Sequence, residues 1–201
     1  MMKLARFADT FRKDEDGSAS IELVLVTPII AWALLSTLVY FDAFRADTRS
    51  ERAGLTIADM FSREQTPVNA AYMDGARALL RTLVESDPNP QLRVTSYSYD
   101  QPSDTYIVRW SQNRGMGMNL TTADLALMRG RLPILANGAT SLLIETRAEY
   151  RAPFALGIAP FTDNNLGAVE FTTFTVIAPR FAPSICFDPT PANPSNGDEL
   201  C

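Results

Sequence analysis

The chain has 201 residues, 46% of them hydrophobic and 20% charged, with a formal net charge of −5 and a pI of about 4.8. That balance fits one modest globular domain plus something extra, and an acidic chain without a basic patch argues against nucleic-acid binding. There is no histidine, lysine occurs only at 3 and 13, and no paired-acid constellation stands out, so Ser/His and Cys/His catalysis, histidine-bound zinc and most Schiff-base chemistry are closed; no enzyme, cofactor, metal or small-molecule substrate is expected.

Met1 to Gly17 is a hydrophilic leader in which Lys3, Arg6, Arg12 and Lys13 are balanced by Asp9, Asp14, Glu15 and Asp16. Ser18-Ala-Ser-Ile-Glu22 then opens the most apolar part of the chain. Leu23 to Phe41 carries no charge, and as a helix these residues rise roughly 28 Å, close to the hydrocarbon thickness of a bilayer. A transmembrane span is therefore expected at about 21–41. Tyr40 stands where an interfacial aromatic belongs, and Asp42 and Arg45 mark the return to water. A cleaved secretory signal fits less well, because the apolar core is too long and no small-x-small site follows it. A buried helix of a soluble core rarely sustains such a run. Pro28 leaves the carbonyl of Val24 without its donor, which membrane helices tolerate. The short leading side is expected to be cytoplasmic and the large remainder to lie outside.

Gly17 followed by Ser-Ala-Ser-Ile-Glu and a membrane helix resembles the processing site of type IV prepilins. Phe11 before an acidic Asp-Gly, then Ser-Ala-Ser-Ile-Glu-Leu and Thr27-Pro28, resembles more narrowly the TadE-like and TadG-like pseudopilins of tight-adherence pilus systems. The segment from Ala178 to Asp188 is similar to the closing segments of some members. The specific likeness covers the first 65 residues or so, and the chain departs from the common prepilin pattern in having Leu23, not Phe or Tyr, after the glutamate.

This resemblance implies a minor pseudopilin of the bacterial inner membrane, with its C-terminal domain periplasmic. A prepilin peptidase would cleave between Gly17 and Ser18. The partners implied are that peptidase, other pilins or pseudopilins and the pilus assembly machinery. Glu22 would be the assembly residue, facing the new α-amino group of Ser18 on its own or a neighbouring helix. Its alternative role is to complement the positive end of the helix dipole. The competing function is a single-pass, membrane-anchored periplasmic binding or sensing module with an uncleaved anchor, which has no need of Gly17 or Glu22.

Beyond the span, Phe44, Thr48, Leu55, Ala58 and Phe61 keep helical spacing, so the N-terminal helix is expected to fill 18–65. Residues 66–185 read as an α+β domain. Thr66-Pro67 predicts the start of a second helix running to about Ser86, with Val68, Tyr72, Ala76, Leu79 and Leu83 as its apolar stripe. Leu92–Tyr99 and Thr105–Ser111 flank the turn Gln101-Pro102-Ser103-Asp104 as a hairpin. Thr121 or Thr122 caps a short helix through Arg131. Ser141 to Arg151 alternates, with Leu142, Ile144, Thr146, Ala148 and Tyr150 on one side. Ala168 to Ala178 supplies a fourth strand, and an antiparallel sheet of about four strands packed on the helices is expected.

Pro153 to Phe161 is an apolar loop, either a subunit contact or a segment folded onto the core. Thr162–Asn165 and Asn196–Glu199 offer oxygens without the spacing of a calcium loop. In an oxidising compartment Cys186 and Cys201 read as a disulfide closing the tail 186–201, the alternative being two unpaired thiols.

Overall fold

The computed structural model describes residues 18–85, 87–152, 168–191 and 197–201. Gly17, the apolar loop 153–161, residues 162–165 and Asn196 lie outside the described residues. The architecture is α+β, as the sequence predicts. One long helix, α1 (Ser18–Ser62), leads into β1 (Val68–Asn69) and α2 (Ala70–Val84). The strands β2 (Gln91–Asp100) and β3 (Thr105–Arg114) follow, then α3 (Thr122–Leu127), a 3-10 turn at Arg129–Arg131, β4 (Thr140–Tyr150), β5 (Val169–Ile177) and β6 (Phe187–Asp188).

The main sheet has the order β3-β2-β4-β5 with every neighbour antiparallel. Its two faces are both covered. On one face Leu92, Val94, Trp110, Leu142, Ile144 and Ala148 meet Ala53, Ile57, Ala58 and Phe61 of α1 and Met73, Ala76, Leu80 and Val84 of α2. Phe61 is fully buried and meets Tyr72 edge-on, with ring centroids 5.1 Å apart. A buried ring of this size contributes about 1.5–3 kcal/mol by area alone. On the other face Tyr97, Tyr99, Tyr106 and Leu143 pack under Leu120, Leu125 and Leu132 from α3 and its flanks. The alternation expected in β4 is present, but Leu143 and Glu145 are also buried, because a central strand covered on both sides has no solvent face.

Two local expectations are corrected. The cap of α2 is Asn69, whose side chain accepts from the Tyr72 N–H at 3.0 Å; Thr66-Pro67 stays outside the helix. Val68 and Asn69 are drawn into a parallel ladder with Phe187 and Asp188, so the helix starts after them. The buried stripe of α2 is accordingly rotated to Met73, Ala76, Leu80 and Val84, leaving Leu79 exposed. In α1 the buried stripe is Ala46, Ser50, Ala53, Ile57 and Phe61, while Phe44 and Leu55 face outward. Small side chains let this helix lie close to the sheet.

The hairpin turn 101–104 stands as read, with Asp104 in the left-handed region at φ 52°. Its carboxylate accepts from Tyr99 Oη at 2.6 Å and pairs with Arg129. The short helix is capped by Thr121 in a reciprocal box with Asp124.

Candidate functional site

The α1 helix is 45 residues long, so it rises about 67 Å. Its N-terminal half is largely exposed, with Ser36 and Val39 buried toward its end. Ile21, Leu23, Val24, Leu25, Ile29 and Ile30 are all exposed, and so are Leu34, Leu38 and Phe41 on the following turns. In its most apolar window mean hydropathy is 2.1 and only 11% is buried, whereas the core helix of a globular fold is mostly buried. Mostly exposed and apolar, this segment is long and apolar enough to cross a membrane.

Within the apolar stretch two threonine hydroxyls are bonded locally. Thr27 Oγ1 donates to the Leu23 carbonyl at 2.6 Å, and Thr37 Oγ1 to the Ala33 carbonyl at 2.8 Å. Pro28 sits within an unbroken helix. These two hydroxyls thus ask nothing of the surroundings, as an apolar medium requires, whereas the buried Ser36 Oγ has no hydrogen-bond partner among the described residues. Glu22 is an exposed carboxylate among apolar side chains. From Ser18, the first described residue, the helix has no acid in its first turn, and Glu22 follows that turn. A capping box is excluded, because the residue three before Glu22 is Ala19.

The outer half of α1 is fixed to the domain by contacts that the sequence did not announce. Tyr150 Oη donates to Asp42 Oδ2 at 2.8 Å. Burial, and then the Asp42 carboxylate beside it, push this phenol up to about 12. Arg49 pairs with Glu85 at 2.8 Å, joining α1 to the end of α2. A Cβ built on Gly54 would lie 2.6 Å from Thr173 Oγ1, which is itself bonded to Thr146 Oγ1 at 2.6 Å. The Arg180 N–H donates to the Ser62 carbonyl at 2.8 Å, closing the helix end, while its guanidinium meets Asp59 at 3.1 Å. A glycine in the middle of a predicted helix was the one available sign of such close packing.

At the far end Cys186 and Cys201 form a disulfide, with their Cα atoms 4.4 Å apart. Phe187 and Leu200 exchange two backbone hydrogen bonds of 2.8 Å across it. The Val68 N–H donates to the Cys186 carbonyl at 2.9 Å, and Trp110 Nε1 donates to the Ile185 carbonyl at 2.7 Å. Glu199 lies near both cysteines, but disulfide sulfurs are not thiolates and offer a metal nothing.

No protein-family model, curated protein or solved structure matches this chain. What the molecule presents for function is therefore the geometry itself. Ser18 and Glu22 share the start of α1, one turn apart; the two cysteines lie elsewhere and serve the tail.

Proposed function

We propose that the chain is a minor pseudopilin, a structural and assembly subunit of a tight-adherence type of pilus, and not an enzyme. The leader 1–17 is removed by a prepilin peptidase between Gly17 and Ser18. The mature chain stands in the bacterial inner membrane through α1, with its α+β domain on the periplasmic side. A periplasmic domain accords with its disulfide, since disulfides persist in oxidising compartments.

The observation that carries this reading is Glu22. A carboxylate in an otherwise apolar membrane span is unfavourable by up to about 2.5–3.5 kcal/mol at mid-span and less near an end, so it needs a partner. An ordinary anchor gives it none. Cleavage after Gly17 supplies one, the α-amino group of Ser18, which four residues of helix place about 6 Å away along the axis. The same amine on a neighbouring subunit's helix fixes the axial register of two helices in the membrane.

Glu22→Ala in cells tests this. Leader removal and membrane insertion should survive, while pilus assembly and co-purification with other pilins fail. Normal assembly of that variant would contradict the pairing role.

A further inference from the structure

The main sheet has two edges, and the chain treats them differently. In β3 the register with β2 shifts between Ser96 and Tyr97, leaving Arg109 as an extra residue. Beside it the Val108 N–H donates to Thr122 Oγ1 at 3.1 Å. A bulge and a covering side chain both blunt an edge. The other edge, β5, has an unbroken register with β4 from Tyr150↔Val169 to Leu142↔Ile177. Its sequence, VEFTTFTVI, holds no lysine or proline and one charge, Glu170. Among the described residues its outer side meets no strand. A long, regular edge of this kind is a template for another extended chain.

A groove runs along this edge. Thr172 and Thr175 of β5 form its floor, Asp47, Glu51 and Leu55 of α1 one wall, and Arg131 the other. Asp47, Glu51 and Leu55 are four residues apart and so share one side of their helix. Among the described residues neither Asp47 nor Glu51 takes part in an ion pair. Arg131 lies 4.0 Å over the ring of Phe174, which also lines the groove, so the groove holds two carboxylates and one guanidinium.

We propose that this groove receives an extended segment of a partner protein, which adds a fifth strand to β5 and sets a basic side chain against Asp47 and Glu51. Backbone hydrogen bonds give such a complex its affinity, and the two carboxylates give it a preference. A second copy is the poorer occupant. Antiparallel pairing of two β5 edges about a two-fold axis keeps both α1 helices on the same face of the joined sheet. That brings two acidic walls together, where like charges repel. The inference is independent of leader cleavage and of the pilus assignment.

The test uses the full chain in detergent micelles and two labelled peptides of alternating threonine and valine. One carries arginine at two positions, the other glutamate at the same positions. The arginine peptide should bind about tenfold more tightly, an advantage that shrinks in high salt. Amide exchange should slow in β5 when it binds. The double variant Asp47→Lys, Glu51→Lys should reverse the preference, and Asp47→Asn, Glu51→Gln should abolish it while the fold, followed by circular dichroism, is kept. Equal binding of both peptides, no binding, or protection outside β5 would overturn the proposal. So would protection of β5 that rises with protein concentration and needs no peptide, since a second copy would then fill the groove.

Discussion

At Gly54 a missing side chain sets how closely α1 can lie on the sheet. Alanine there favours the helix by about 0.8–1.0 kcal/mol, but its methyl would press on Thr173, whose hydroxyl is held by Thr146. Overpacking costs about 1–3 kcal/mol, so Gly54→Ala should be net destabilising by about 1 kcal/mol in urea unfolding; a stabilised variant would mean that the helix yields easily. Tyr150 has a distinct signature. Its phenol ordinarily titrates near pH 10 and is held up to about 12 in the folded chain by burial and Asp42. The folded state therefore holds the proton more tightly than the unfolded one. The stability it contributes is complete below about pH 10 and is lost as the pH rises through 12. Tyr150→Phe should remove one late-titrating phenol from the phenolate absorbance curve. Tyr72 and Tyr97, pushed still higher chiefly by burial, should remain.

Among the elements, the C-terminal tail is the one tied by covalent chemistry. The disulfide spans 15 positions, and closing a loop of that size stabilises by about 3 kcal/mol in the chain-entropy view. Because the tail also holds β6 against β1 and a carbonyl against Trp110, Cys186→Ser with Cys201→Ser should lower the unfolding midpoint by several degrees in a thermal scan. A midpoint unchanged by the substitution or by reductant would show that the tail adds nothing to the core. These elements were unequally legible in the sequence. The alternation of β4, the turn 101–104 and the limits of β5 were readable because local pattern decides them. The start of α2 was not, because Thr66-Pro67 is a sound local signal overruled by the pairing of Val68 with Phe187, a partner more than a hundred residues away. The buried side of α1 was not read from the sequence, because close approach to a sheet selects the small residues Ala46, Ser50, Ala53 and Gly54, which helical spacing alone does not single out.

At the scale of the whole molecule, one helix has two unlike halves. Its outer half belongs to a two-faced α+β domain, and its inner half is apolar on every side. The candidate site at the start of α1 was legible as residue types, Ser18 and Glu22, because an acid next to an uncharged run is conspicuous. Its partner was not, since cleavage would create it. The central claim is that Ser18 becomes the N-terminus. It is tested most directly by the intact mass of the protein extracted from its native membrane, together with labelling of primary amines. Both lysines, Lys3 and Lys13, precede Gly17, so cleavage leaves 201 − 17 = 184 residues and a single primary amine. That mass and one labelled amine, on Ser18, are the predicted result; a full-length mass with both lysines reactive would contradict it.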